Sequence, residues 1–174
     1  MEKYVPDLYQ KSIYTIDYNK LKNLIIKCLL FDLDNTIALI DEETIPTKVE
    51  ELFKKIKKDF QLVIISNNTK KRISVFCEPF DTPFVSFAMK PLTFGFSKIK
   101  RKYGLEKEQM CMIGDQLMTD VLGGNIFGIY TILVDPLGNK DLKITSVNRF
   151  FENKIITKLA KMNILERGKY YGWG

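Results

Sequence analysis

Leu29-Leu30-Phe31-Asp32-Leu33-Asp34-Asn35-Thr36 is the stretch on which the reading of this chain turns. An apolar run ends in two acids one residue apart, followed by a hydroxyl. Runs of this kind read as buried strands. An acid is costly to bury unless a cation pairs with it or a metal binds it. The strand therefore ends at Asp32, in a cleft, with something cationic beside it. Asp-Asn-Thr is also ordinary turn chemistry, so the stretch alone supports a turn as well as a site. Three further polar clusters, each near the end of another apolar run, tilt the choice toward a site.

Upstream, Asp17 can cap a helix carrying Tyr18, Leu21 and Ile25 on one face, and Leu24 to Phe31 is strand-like. Downstream, residues 37–45 are long enough only for a small hairpin or flap. Thr47 and Glu50 suit a capping box after Pro46, opening a helix with Val49, Leu52, Phe53, Ile56 and Phe60 at helical spacing. A second strand, Leu62 to Ile65, ends at Ser66-Asn67-Asn68. It leads to a helix with Ile73, Phe76 and Cys77 inward, which Pro79 stops.

Phe84 to Phe87 is a third strand, leading to Met89-Lys90-Pro91. Phe96, Ile99 and Tyr103 mark a helix that Gly104 ends. Met110 to Ile113 ends at Gly114-Asp115, and Asp120 to Phe127 is helical. Tyr130 to Val134 is the fifth strand. Phe151, Ile155, Leu159 and Met162 predict a last amphipathic helix, before an aromatic, irregular tail over residues 168–174.

Strands alternating with helices mean an α/β fold with a mainly parallel, five-stranded sheet. Ligands in such folds sit beyond the carboxyl ends of the strands. Asp32 and Asp34, Ser66 and Asn67, Lys90, and Asp115 and Asp120 all fall there. The length of 174 residues suits one domain over residues 1–174, its core at about 24–140, with a flanking N-terminal segment and C-terminal helix.

The absence of histidine excludes Ser-His-Asp and Cys-His triads, histidine metal sites and histidine phosphotransfer. Acid–base work falls to carboxylates, Lys, Tyr or Cys. Cys28, Cys77 and Cys111 are widely spaced and sit in apolar contexts, which reads as reduced core thiols. A net charge of +6 favours anionic partners, although a lysine-rich surface also serves solubility. No segment has the apolar length of a membrane span, and the start lacks a secretory pattern. The expected setting is cytoplasmic.

Up to four carboxylates near one cleft repel one another, and a hard divalent cation such as Mg²⁺ removes the conflict. Lys90 supplies a point charge for a phosphate oxygen, and the Ser66 hydroxyl can donate to another. Asp32, at the strand end, is the candidate nucleophile, forming an aspartyl phosphate. Asp34, two residues on, can face the same cleft and serve as acid and then base.

These motifs resemble those of the haloacid dehalogenase (HAD) superfamily. Phe31 to Thr36 resembles motif one, Ile65-Ser66-Asn67-Asn68 motif two, Lys90-Pro91 motif three, and Gly114 to Asp120 motif four. Within the superfamily the chain is similar to the YqeG-type phosphatases, through Pro6-Asp7, Arg72, Lys90-Pro91-Leu92, Asp120 to Asn125 and Tyr130 to Val134. Ile126 departs from the pattern, where many members carry a basic residue.

The resemblance implies a Rossmann-like three-layer sandwich without a cap domain. It implies Mg²⁺ held by the Asp32 side chain, the Asp34 carbonyl and Asp115, with Asp120 as a further metal-site or Lys90-orienting acid. It also implies a phosphoric monoester hydrolase. Similar proteins include phosphatidylglycerophosphate phosphatases, so the expected substrate is that lipid, cleaved to phosphatidylglycerol.

With residues 37–45 able to form only a flap, the cleft is expected to be open to a head group or macromolecule. Ser66, Asn67 and Arg72 are the candidate phosphate contacts, Arg72 reading equally as a surface residue. The last helix, with Lys154, Lys158 and Lys161 opposite its apolar face, and the aromatic tail are candidates for a peripheral membrane contact. Packing on the protein's own core is the simpler reading of that helix. The rival functions are a capless phosphatase for a nucleotide or phosphoprotein, and a HAD scaffold binding RNA or the ribosome. The intact set of Asp32, Asp34, Lys90 and Asp115 argues against the latter, and nucleic acid is not an expected partner.

Overall fold

In the computed structural model, which describes residues 1–138 and 143–172 (the side chains of 143–148 excepted), the run around Leu29 is a strand in the middle of a parallel sheet. The strands are β1 (Leu8–Gln10), β2 (Cys28–Phe31), β3 (Gln61–Ile65), β4 (Phe84–Val85), β5 (Met110–Gly114) and β6 (Tyr130–Val134). Their order is β1-β6-β5-β2-β3-β4, and every pairing is parallel. The sheet thus has six strands rather than five. The added one, β1, is a three-residue edge strand pairing with β6, too short for its alternation to show.

The helices are α1 (Tyr18–Asn23), α2 (Thr47–Ile56), α3 (Lys70–Cys77), α4 (Phe94–Tyr103), α5 (Leu122–Phe127) and α6 (Lys143–Lys161). Strand residues alternate between two apolar layers, as a sheet covered on both faces requires. Leu29, Phe31, Leu62, Ile64, Cys111 and Ile113 pack with Leu21, Val49, Phe53, Ile73 and Phe76 from α1, α2 and α3. Cys28, Leu30, Val63, Ile65, Met110 and Met112 pack with Phe96, Ile99 and Phe127 from α4 and α5. This is the three-layer sandwich. Between β2 and α2, residues 37–46 form only turns and one bridge, Asp34 to Ala38, so no cap interrupts the sheet.

Several local expectations change. The first central strand starts at Cys28, not Leu24, because Ile25 turns the chain with φ 61° and stands exposed. Asp17 does cap α1, accepting from the amides of Asn19 and Lys20, but Ile25 is outside its buried face. The cap of α2 is Pro46 and Thr47 is already helical, so the Thr47–Glu50 capping box does not form, and Glu50 pairs with Lys54 instead. Among the described side chains of α6, Glu152, Ile156 and Leu159 are buried, while Phe151, and Met162 just past the helix, are exposed.

The tail packs rather than extending: Tyr171 pairs antiparallel with Tyr9, and the Tyr170 hydroxyl donates to Asp135 at 2.7 Å. Trp173, Gly174 and the end of the expected core at 139–140 lie outside the described residues. No helix among the described residues is long and apolar enough to cross a membrane.

Candidate active site

The order of the sheet decides where a site can form. From β2 the chain steps outward to β3 and β4, then returns to lay β5 on the other side of β2. The crevice at such a reversal, beyond the carboxyl ends of the strands, is where open α/β sheets bind ligands. Asp32 follows β2 and Asp115 follows β5, and the Asp32 amide extends the pairing by donating to Ile113 O at 2.9 Å. Both are buried, with Asp120 from the π-helical turn Leu117–Val121. Carboxylate oxygens of the three lie within 4.8 Å of one another. Gly114 makes the convergence possible, since a Cβ there would overlap the Asp120 carboxylate.

Lys90 enters from the loop after β4. Its Nζ lies 2.6 Å from Asp32 Oδ1 and 2.6 Å from Asp120 Oδ1. Burial alone would lower the lysine's pKa, but Asp120 and Asp32 outweigh that and hold it protonated. Burial pushes the Asp32 carboxyl up, with Lys90 opposing. Asp115 is pushed up to about 6, again chiefly by burial, with Arg149 opposing.

Asn67 does not reach into the cluster. Its side chain clamps the Lys90 backbone, donating to Lys90 O at 3.0 Å and accepting from Lys90 N at 2.7 Å. Ser66 is buried at the end of β3, its Oγ accepting from the Asn68 amide at 3.1 Å. Thr36, of motif one, donates to Asp115 at 3.0 Å.

Asp34 stands apart from the clustered carboxylates. One of its oxygens accepts from Arg72 at 3.1 Å and the other from Asn68 at 2.9 Å. The Arg72 guanidinium also donates to Leu39 O at 2.8 Å and to Glu42 O. Arg72 thereby ties the flap of residues 37–45 to Asp34.

Two residues near the acids gave no motif signal. Arg149, on α6, donates to the Asp115 carboxylate and, at 2.9 Å, to its backbone carbonyl. Glu152, fully buried one turn on, accepts from Arg149 at 3.2 Å, from Arg167 at 2.6 Å and from the Leu117 amide at 3.0 Å. The usable signal was residue type. Only four arginines occur among 27 basic residues, and Arg72, Arg149 and Arg167 all hold partly buried ion pairs. A planar guanidinium suits such forked contacts better than lysine does.

Comparison with known proteins places the chain. It is 39% identical over 159 residues to a Bacillus subtilis protein described as "Probable phosphatase YqeG", covering 91% of this chain and 92% of that one. The chain belongs to the YqeG-type phosphatases of the HAD superfamily. A HAD-hydrolase-like family model matches residues 87–142, and a mitochondrial PGP phosphatase model matches residues 1–74.

A chloroplastic phosphatidylglycerophosphate phosphatase of Chlamydomonas reinhardtii is 26% identical over 143 residues. That match covers 76% of this chain and about half, 53%, of the algal protein. Among solved structures, 3-deoxy-D-manno-octulosonate 8-phosphate phosphatase of Moraxella catarrhalis aligns with a TM-score of 0.51 at 12% identity, covering 84% of this chain and 99% of that one. At that identity it speaks to the fold, which is the Rossmann-like HAD sandwich. The chain is a phosphatase.

Proposed function

We propose that this phosphatase hydrolyses a phosphomonoester through an aspartyl phosphate on Asp32, with Mg²⁺ in the acid cluster, and that its substrate is the lipid phosphatidylglycerophosphate. The observation that carries the chemistry is the meeting of Asp32, Asp115, Asp120 and Lys90 at the reversal of the sheet.

The donor set fits a hard divalent ion. Three buried carboxylates face two cations, Lys90 and Arg149, which leaves one negative charge too many for a dry site. Carboxylate oxygens are the ligands magnesium takes. Asp32, Asp115 and Asp120 would hold it by their side chains, and Asp34 by its carbonyl. Bound there, Mg²⁺ would screen the charge of the phosphoryl oxygens and so help an anionic nucleophile approach.

Each step falls to a residue of this chain. An Asp32 oxygen attacks phosphorus, forming the acyl–phosphate bond as the ester P–O bond breaks. Asp34 gives its proton to the departing oxygen. Water then attacks the same phosphorus, Asp34 takes its proton, and the Asp32–phosphate bond breaks to release phosphate. Lys90 balances charge on the phosphoryl oxygens and holds Asp32 in place. Asn67 fixes Lys90 through its backbone. Arg72 and Asn68 hold Asp34 at the mouth, where their contacts must loosen for it to carry a proton.

The lipid reading draws on the PGP phosphatase match over residues 1–74, the named activity of the algal relative, and the absence of a cap over the cleft. Asp32→Asn should abolish Mg²⁺-dependent release of phosphate from p-nitrophenyl phosphate, a loss of at least about a thousandfold, or ~4 kcal/mol of barrier. Full activity in that variant refutes covalent catalysis at Asp32. Phosphatidylglycerophosphate in mixed micelles should be turned over faster than glycerol phosphate, and equal rates refute the lipid substrate.

A further inference from the structure

The loop that delivers Lys90 has a second, outward face. From residue 87 to 90 its side chains alternate: Phe87 and Met89 point to solvent, Ala88 and Lys90 are buried. Leu92 and Phe94 continue the outward set, so four large apolar side chains stand exposed within eight residues, Phe87 at 61% and Phe94 at 69%.

The fold does not account for their apolar character. Phe87 and Met89 have φ of 48° and 53°, the left-handed region that glycine, asparagine and aspartate occupy more readily. They hold it because backbone bonds fix the loop: Phe87 N to Asn68 O at 3.1 Å, Ala88 N to Ser66 O at 3.0 Å and Leu92 N to Met89 O at 2.8 Å. An asparagine would relieve the backbone and lose no core contact.

Basic residues flank the patch. Lys70 and Lys71 are exposed at the start of α3, just after Asn68, to which Phe87 bonds. Lys98 is exposed one turn along α4 from Phe94. The exposed acids Asp41 and Glu43 lie on the flap, which Arg72 ties to Asp34, and neither is in the Phe87–Phe94 loop. An apolar strip edged by lysines suits insertion between anionic head groups. Its other side is the site of Lys90.

We propose that the Phe87–Phe94 loop is the face by which this phosphatase sits on an anionic lipid surface, presenting a lipid phosphomonoester to Asp32. The face rests on the lipid reading only for what enters the site. Docking through this loop also gives α6 and the tail no membrane role, consistent with Leu159 and Tyr171 packing onto the protein itself.

The test is co-sedimentation of the full chain with phosphatidylcholine vesicles, with and without phosphatidylglycerol, beside hydrolysis of soluble p-nitrophenyl phosphate. The variant is Phe87→Asn with Phe94→Ser, chosen because asparagine suits the left-handed backbone. A second variant, Lys98→Glu, tests the charge.

The wild type should partition onto the anionic vesicles. The double variant should lose on the order of tenfold in partitioning, and Lys98→Glu severalfold, while soluble hydrolysis stays within about twofold. No wild-type binding, equal binding by the double variant, or a parallel loss of soluble hydrolysis overturns the proposal. So does a wild-type dimer, seen by analytical ultracentrifugation, that the double variant dissolves. Hydrolysis of a short-chain, monomeric phosphatidylglycerophosphate judges the substrate separately. A wild type that binds vesicles without cleaving this lipid keeps the face and loses the substrate. One that cleaves the lipid without binding vesicles loses the face.

Discussion

Lys90 and Arg149 both pair with acids of the same cluster, and they are held in different ways. Lys90 comes from the loop after β4, has 2% of its side chain exposed and contacts Asp32 and Asp120 together. Arg149 comes from α6, keeps 14% of its side chain exposed and contacts Asp115 among the three. Lys90 is positioned by Asn67 at the end of β3. Arg149 is braced by Glu152, which also reaches Arg167 and the Leu117 amide. The difference separates a cation built into the middle of the site from one standing at its margin, against the acid that follows β5. We read the first as permanent and the second as a counter-ion that Mg²⁺ can replace.

The largest effect that could break this distinction is that of Lys90→Met. It strands two buried carboxylates, which costs about 3–5 kcal/mol. For a chain of this size the melting temperature should then fall by roughly 10 °C, with hydrolysis lost. Calorimetry giving a fall no larger than that of Arg149→Ala would put Lys90 in the same class as Arg149.

Arg149→Ala should cost less, about 1–3 kcal/mol without metal, because it strands one of the buried carboxylates where Lys90→Met strands two, and Thr36 still donates to Asp115. Its melting temperature should rise more than the wild type's on adding Mg²⁺, and calorimetric titration should show tighter Mg²⁺ binding. Weaker binding would mean that the guanidinium orients Asp115 for the metal instead of competing with it.

Glu152→Gln keeps the shape and removes the brace, for about 1 kcal/mol. Mg²⁺ binding should shift in the same direction as in Arg149→Ala, by less. An unchanged titration would show that Asp115 alone holds the arginine.

The smallest effect concerns the thiols. Burial pushes Cys28 and Cys77 up to about 12, so at pH 8 both remain protonated and shielded. Iodoacetamide should leave them unmodified in the wild type and in Arg149→Ala, and modify them slowly in Lys90→Met. Equal protection in all three would show that the Lys90 cluster does not hold the two faces of the sheet closed.

The same contrast explains what was readable in the residues. Asp32, Lys90 and Asp115 each follow an apolar run, and a charge at the end of a buried strand has few explanations. The parallel sheet followed from five such runs. Arg149 and Glu152 sit in a helix full of lysines, where charge ordinarily means solvent. The periodicity that put Phe151 and Met162 inward hid that Glu152 shares the buried face with Leu159. Ion pairs formed across long separations leave no local pattern. Strand β1 was missed for a different reason: three residues are too few to show a period. Asp34 is read from its spacing after Asp32, and Arg72 and Asn67 from their place beside a motif; only three-dimensional contacts show Arg72 held by Asp34 and the flap, and Asn67 by the backbone of Lys90.

The edge strand β1 has a consequence for how the molecule comes into being. Leu8 pairs with Ile132, and Tyr9 with both Leu133 and Tyr171. As the ribosome makes this chain from its amino end, β1 finds its neighbour β6 only after more than a hundred further residues have emerged. Until then it offers an open edge to any other extended segment nearby. Tyr171, which follows later still, closes the opposite side of that strand, so β1 is most exposed to wrong pairing before β6 has emerged.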